Sequence, residues 1–542
     1  MSNDRPGVAA STGSGLVLAV LCAGQFLMTL DSSVMNVSMA TVAGDIGTTI
    51  TGIQTAITLY TLVMASLMIT GGKIGAILGR KRVFGLGLIV YGVGSFVTGL
   101  APNLGILLLG WSLLEGIGAA LIMPAIVSLV AANVAAERRA AAYGLVAAAG
   151  AAAVAVGPLL GGAVTTYASW RLVFFGEVVV VALIMLMLRR MTDSPAEHAE
   201  LDLLGSALSV GGLGMIVYGV LRSSEWGWIQ DRPGAPAVFG LSPVIWLLLG
   251  GLFVLYLLRE RLAARVRAGR EPLFDPDLLR NQQLTGGLGM FFAQFCVQAG
   301  VFFAVPLFLS VVLQLSALGT GARLLPLSVA LIATAVLIPK FGPRASPRRV
   351  VRLGLLSIIA GILLLAAGMD PGADARVVAV PMLLMGAGLG ALAAQLGGVT
   401  ISAVPESRSA EVGGLQNTAS YLGASLGTAL IGSILIATLT SSVIDGIENN
   451  PAVPAAVQEQ ATTELAGGVP FLSDTQLRDA LTEAGAQPST VDAVVSVNSD
   501  ARLNALQSAF AVTALLAMAA LLITRRIPAR SPTAPPEPDR SP

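Results

Sequence analysis

The stretch GGKIGAILGRKRVFGLGL, running from Gly71, aligns without a gap on IPKFGPRASPRRVVRLGL, running from Ile338, an offset of 338 − 71 = 267 residues. Lys73 falls on Lys340, Gly75 on Gly342, Lys81 on Arg348, Arg82 on Arg349, Val83 on Val350, and Leu86, Gly87 and Leu88 on Leu353, Gly354 and Leu355. A second match, at 383 − 113 = 270, sets LLEGIG from Leu113 on LLMGAG from Leu383, and Gly144, Leu145 and Gly157 on Gly414, Leu415 and Gly427. A long internal repeat decides architecture before any local feature does. The chain carries two parallel copies of one unit.

Each copy is built for lipid. With 55% hydrophobic and 12% charged residues and a mean hydropathy of +0.80, the 542-residue chain has more apolar surface than a water-soluble fold can hide. A helix needs roughly 20 apolar residues to cross a bilayer. Runs of that kind fall at Leu16–Ala40, Ile53–Ile69, Val83–Leu100, Leu104–Val130, Ala141–Val164 and Leu172–Leu188 in the first copy. A further pair lies at Leu203–Leu221 and Val244–Leu258, followed by Leu288–Val312, Leu324–Ile338, Leu353–Gly368, Val377–Val399, Leu415–Leu439 and Leu503–Ile523. The sequence therefore predicts an all-α polytopic membrane protein of fourteen transmembrane helices, two six-helix parallel halves plus two inserted linker helices. The expected boundaries are 1–190 for the first half, 191–284 for the inserted pair and a cytoplasmic connector, 285–526 for the second half, and 527–542 for a disordered tail.

Lys and Arg beside spanning helices stay on the cytoplasmic side. Lys73, Arg80–Arg82, Arg138, Arg139, Arg189, Arg190, the connector from Arg259 to Arg280, Lys340–Arg352, Arg408, the arginines from Arg525 onward and Arg5 all fall on one face. They make 25 of the 32 basic residues and leave 32 − 25 = 7 for the other face. Both termini are predicted cytoplasmic, in the plasma membrane of a bacterium. The one long exterior segment, 441–501, has nine acidic residues against Arg478 alone and reads as a mostly solvated loop. Cys22 and Cys296 lie inside apolar runs and read as packing residues, not a disulfide.

Three acids break the apolar runs: Asp31, Glu115 and Glu177. A charged, unpaired carboxylate at the bilayer centre costs about 2.5–3.5 kcal/mol, so such a group leans toward its protonated form and is functional by default. No Lys or Arg lies in the middle of a span. All three are candidates for proton handling, with a helix–helix hydrogen bond as the structural alternative. At the offset of 267 the partner of Asp31 is Gln298, so the halves are not chemically symmetric. Gln25, Asn36, Tyr60, Gln294, Gln298, Gln395, Gln416 and Asn417 are the polar residues in spans that could orient a substrate in an apolar cavity.

Parallel repeats rocking about a midplane site are the plan of one large group of secondary transporters, and the motifs resemble the major facilitator superfamily, in particular its fourteen-helix drug:proton antiporter branch. LDSSVMNV from Leu30 resembles that branch's first-helix signature, with Asp31 at the embedded acidic position. GGKIGAILGRKR resembles the superfamily's loop motif through Gly72, Gly75, Gly79, Arg80 and Lys81, with Ala76 where the family has an acid. GPLLGG resembles the fifth-helix antiport motif through Gly157, Pro158, Gly161 and Gly162, expected to kink and thin the helix. In WSLLEGIGAALIMP the family's arginine and glutamine are replaced by Ser112 and Glu115, and in SWRLVFFGEVVV its asparagine by Glu177, while Trp170 and Arg171 match.

The resemblance implies export of small lipophilic or cationic molecules in exchange for protons, by a chain acting as a monomer, with the lipid bilayer, protons and a small-molecule substrate as its partners. No metal, other cofactor or nucleic acid is implied. The single histidine, His198, lies in a loop without a Cys or carboxylate grouping at metal-ligand spacing, which speaks against an enzyme. TGGKI around Lys73 lacks the first glycine and the Ser/Thr of a phosphate-binding loop. A dedicated exporter of an endogenous metabolite, antibiotic or lipid, and a membrane sensor that transports nothing, remain the alternatives.

Overall fold

The computed structural model describes residues 10–529 except 135, 192, 194–199, 233–234, 342–344, 371, 373, 406–407, 452, 454–457, 459–464 and 466–468. Arg5, His198, Gly342, Arg344 and residues 530–542 of the tail thus lie outside the described residues.

In hydrocarbon, backbone polar groups can be satisfied only within a helix or a closed barrel, and among the described residues the apolar runs become fourteen helices of spanning length. They are α1 Gly15–Asp45, α2 Ile50–Leu78, α3 Arg80–Gly99, α4 Leu104–Val130, α5 Ala142–Tyr167, α6 Arg171–Leu188, α7 Leu203–Trp226, α8 Pro243–Arg267, α9 Gln282–Val312, α10 Ala317–Lys340, α11 Pro347–Ala367, α12 Ala375–Ile401, α13 Glu411–Glu448 and α14 Pro488–Arg526. Local chemistry starts several of them. Side-chain oxygens of Thr49, Asn103, Asp202 and Asn281 accept the first free N–H groups of α2, α4, α7 and α9. Gly79 alone separates α2 from α3, at φ +95°, a conformation that strains any side chain.

The repeat seen in the sequence is repeated in close packing. A Cβ on Gly87 of α3 would sit 3.0 Å from the Gly118 carbonyl oxygen of α4, and one on Gly354 of α11 would sit 2.9 Å from that of Gly388 of α12. These are the pairs that the offsets of 267 and 270 relate. Across the seam between halves, α2 packs on α13 and α5 on α10, each time the second helix of one half on the fifth of the other. The inserted α7 and α8 pair with each other, and α7 closes one side of the seam by touching both α2 and α13. Thr70 bonds Ser206 at 2.9 Å, and Ser433 donates to the Val220 carbonyl at 2.9 Å.

Three expectations need correction. α13 and α14 run well past the predicted spans, out to Glu448 and back from Pro488, and a short helix, Asp474–Glu483, lies between them. Segment 441–501 is therefore not mostly solvated where described: Val453, Val469, Phe471 and Val494 join the main core, and Val491 is buried. Arg502, fully buried, donates to the Leu472 carbonyl at 3.0 Å and pairs with Asp474, pinning the segment down. Hydropathy fades where a helix leaves the bilayer, and helix and packing do not. The third correction concerns the tail, whose first residue, Ile527, is fully buried and accepts a bond from Arg348 Nε at 2.8 Å. Cys22 and Cys296 are both free thiols.

Candidate functional site

α4 is irregular where it matters most. Over Leu108–Glu115 it widens into a π-helix, a form that turns up at functional sites because it re-aims side chains at the cost of helix regularity. Trp111, Ser112 and Glu115 all sit on it, fully or almost fully buried. Ser112 donates to the Ala56 carbonyl of α2 at 2.9 Å and fixes the segment there.

Three helices now meet. One carboxylate oxygen from each of Asp31 (α1), Glu115 (α4) and Glu177 (α6) lies within 4.8 Å of those of the other two. Spacing along the chain gave no hint of this gathering. Thr98 donates to Glu115 at 3.0 Å, Ser95 and Tyr91 donate to Glu177 at 3.0 and 3.1 Å, and Trp111 Nε1 donates to both oxygens of Asp31 at 2.8 and 3.0 Å. One oxygen of Glu115 and one of Glu177 are buried without a hydrogen-bond partner. No Lys or Arg among the described residues pairs with any of the three. Two carboxylate charges so close repel by about 3–4 kcal/mol even at an effective dielectric of 20. The nest therefore cannot hold three charges at once.

Beside the nest, between the halves, lies a cavity of about 360 Å³. Gln25, Asn36, Tyr60, Gln298, Gln416 and Asn417 line it; Gln294 and Gln395 do not. Phe291, Phe295, Phe302 and Trp111 add aromatic walls that the sequence did not single out. No charged side chain lines it among the described residues. The acids stand behind a wall made by Tyr60 and Trp111, whose rings stack at 4.9 Å and 5°.

The cavity is closed by contacts between the halves toward the acidic face and borders a vestibule toward the basic face. Toward the acidic face, Gln54 donates to the Thr428 and Ala429 carbonyls, each at 3.2 Å, Ser425 donates to that of Thr58 at 2.9 Å, and the Leu318 N–H bonds Thr166 at 3.0 Å. The fifth-helix motif belongs to this closure. A Cβ on Gly157 or Gly161 would meet Ser33 or Val34 of α1 at 2.5 and 2.7 Å, and one on Gly162 would meet the Ala317 carbonyl oxygen of α10 at 2.5 Å. Pro158 has no N–H to give the Val154 carbonyl, and Ser328 of α10 supplies that bond at 3.3 Å. Arg171 and Trp170 both hold Asp45, the latter at 2.9 Å.

Toward the basic face a vestibule of about 520 Å³ shares Asn417 with the cavity. The connector after α8 crosses it: Glu271 pairs with Lys73 at 3.6 Å, Asp275 with Arg408 at 2.6 Å, and the Asp275 N–H bonds Glu411 at 2.7 Å. Of the loop-motif glycines only Gly79 is required by its backbone; a Cβ on Gly72 or Gly75 has room. Gly71, outside the motif as read, is the one against α4, where a Cβ would sit 2.3 Å from the Ala120 carbonyl oxygen. Asp193, from the segment after α6, accepts the Lys81 backbone N–H at the start of α3 at 2.9 Å.

The profile of the Major Facilitator Superfamily matches residues 21–203 and 202–428. This chain belongs to the major facilitator superfamily. Among relatives, it is 30% identical to the puromycin resistance protein pur8 of Streptomyces alboniger over 77% of this chain and 81% of that one. It is 27% identical to the tetracenomycin C resistance and export protein of Streptomyces glaucescens over 97% of this chain and 95% of that protein. Among solved structures, a bacterial homolog of the human lysosomal transporter Spinster superposes with a TM-score of 0.62 at 17% identity, covering 96% of this chain and 98% of that one, a likeness of fold. Fourteen helices, the repeat and the seam thus place the chain in the superfamily as a multi-pass membrane protein with efflux-type relatives.

Proposed function

We propose that the protein exports small, largely aromatic molecules in exchange for protons by alternating access, with the basic face and both termini in the cytoplasm of a bacterium and the plasma membrane as its site. The halves 1–190 and 285–526 rock about the cavity, 191–284 joins them, and one chain suffices. One observation carries the reading: a nest of three carboxylates with no cation among its described partners stands one aromatic wall away from a cavity at the seam between the halves.

Substrate enters from the vestibule, and its arrival favours release of a proton from Asp31, Glu115 or Glu177 toward the cytoplasm. Proton uptake from outside resets the nest after substrate leaves. Occupancy of one site then changes affinity at the other, and exchange follows by linkage. The neutral lining of amides, hydroxyls and aromatic rings suits a neutral aromatic molecule with several hydrogen-bonding groups better than a permanent cation. That agrees with relatives named for antibiotics, and it moves the substrate class away from the cationic dyes the buried acids alone suggest.

The test is accumulation of puromycin, tetracenomycin C and ethidium in everted vesicles, with and without a protonophore, for the wild type, Asp31→Asn, Glu115→Gln and Glu177→Gln. Gradient-dependent uptake of at least one compound, lost in Asp31→Asn, is the expected result. Movement of none of them, or movement indifferent to the protonophore, would sink the proposal.

A further inference from the structure

We propose that Trp111 is the positioning residue that transmits substrate occupancy to the proton nest, an inference that rests on the proton-exchange reading above. Trp111 lines the cavity and donates a hydrogen bond to both oxygens of a nest carboxylate; Tyr60, which also lines the cavity, faces Asp31 beside it. Trp111 is part of the cavity wall, and its Nε1–H is shared by the two oxygens of Asp31 at 2.8 and 3.0 Å. Asp31 itself does not line the cavity, so a substrate reaches the carboxylate only by acting on what stands between them.

An N–H donor stabilises the charged carboxylate more than the neutral acid, because charge-assisted bonds are the stronger ones. A substrate that stacks against the Tyr60–Trp111 pair can press the indole onto Asp31 or pull it away. Pressing it on favours loss of the proton, and losing the bond favours keeping it. The surrounding groups amplify the change. Facing Asp31 are Glu115 from α4, Glu177 from α6, Tyr60 from α2 and Tyr91 from α3, with no Lys, Arg or His among the described residues. A proton given up by Asp31 therefore has only two other carboxyl groups to be shared with before it leaves.

The backbone is suited to this role. Trp111 and Glu115 ride on the same π-helical segment, pinned at Ser112, so one short piece of α4 carries a cavity wall and one member of the nest. A Cβ on Gly94 would come within 2.7 Å of Glu115 Cγ, so α3 holds that segment from behind. Movement of the indole is thereby directed toward the nest.

The experiment is proton release on binding, read with a pH dye in weak buffer on purified protein, using whichever of puromycin, tetracenomycin C and ethidium the vesicle assay shows to be moved. Trp111→Phe keeps an aromatic wall and removes the donor. It should bind the compound more weakly and release at least about five-fold less proton per molecule bound. Asp31→Asn should release none. Proton release at the wild-type stoichiometry from Trp111→Phe, with Asp31→Asn silent, overturns the role of Trp111 and leaves the exchange reading standing; wild-type release from Asp31→Asn also overturns the role of Trp111, by moving the exchanged proton to a glutamate, and absence of release from the wild type overturns the exchange reading itself. Should Trp111→Phe not fold, Tyr60→Leu removes the stack and keeps the indole bond, and the same fall in proton release per bound molecule is required of it. Wild-type release from Tyr60→Leu overturns the proposal.

Discussion

The two halves share a packing plan and differ in the ionisable chemistry it carries. In the first half, a Cβ on Gly94 would sit 2.8 Å from the Gly110 carbonyl oxygen and 2.7 Å from Glu115 Cγ; in the second, a Cβ on Gly361 would sit 2.8 Å from the Pro381 carbonyl oxygen and 2.7 Å from Met385 Cγ. Gly94 and Gly361 are related by 267, Glu115 and Met385 by 270. One contact, copied, thus holds a carboxylate in one half and a thioether in the other. Asp31 likewise has Gln298 as its counterpart, and only the glutamine lines the cavity. The scaffold is what two-fold rocking needs on both sides, whereas the ionisable chemistry is needed once.

Breaking that asymmetry should have its largest effect at Asp31. Asp31→Asn is expected to reduce gradient-driven accumulation to the level of protonophore-treated wild type, while Gln298→Ala changes substrate affinity by about 2- to 10-fold, the worth of one hydrogen bond. Binding and transport assays on the same preparations separate the two. Exchanging the counterparts comes next. Met385→Glu places an uncompensated carboxyl in the second half and should lower stability in detergent by about 2.5–3.5 kcal/mol if charged. Glu115→Met should leave stability unchanged or raised while weakening coupling, because replacing buried ionic groups with apolar ones is often neutral or favourable.

A finer comparison uses the paired glycines. Gly94→Ala and Gly361→Ala should each cost about 1–3 kcal/mol by overpacking, since the clashes match, but only Gly94→Ala should shift the pH dependence of transport. Equal pH profiles for the two variants would show that Glu115 takes no part in proton handling. The smallest effect lies outside the bilayer, at Asp202. Burial alone would push this carboxyl up, but the Gly205 N–H and the guanidinium groups of Arg261 and Arg265 outweigh it and hold the group below the usual carboxylate range. A depressed carboxylate stabilises the fold above its unfolded value and loses that contribution as pH falls through the folded one. Asp202→Asn keeps the cap but loses the charge that pairs with Arg261 and Arg265, and should therefore lower thermal stability by up to about 1 kcal/mol at neutral pH, with the deficit closing as the pH drops below the ordinary carboxylate range.

Most of the fold was legible because lipid imposes a simple rule: a spanning segment is apolar and helical. The ends of α13 and α14 were not, since beyond the bilayer a helix is held by contacts such as Arg502 with Leu472 and Asp474, which leave no hydropathy signal. The three acids could be picked out singly because a carboxylate in a span is costly, but their meeting depends on how α1, α4 and α6 pack. Polar residues in apolar helices look alike whichever way they face. Hence Gln298 and Asn417 reach the cavity, and Gln294 and Gln395 do not. Trp111 carried no signal at all, being one more large apolar residue in an apolar run, and the π-helix that aims it has no signature in composition.

The connector from Glu271 to Asp275 passes through the mouth of the vestibule and not around it, held to Lys73 on one half and to Arg408 and Glu411 on the other. If the halves rock, every cycle must stretch or undo a strap that is half charge. Its grip is Coulombic and partly exposed, so it loosens as salt rises. Under the exchange reading, turnover should then rise with ionic strength at the basic face, a dependence that owes nothing to substrate or proton, the strap acting as a brake that salt releases.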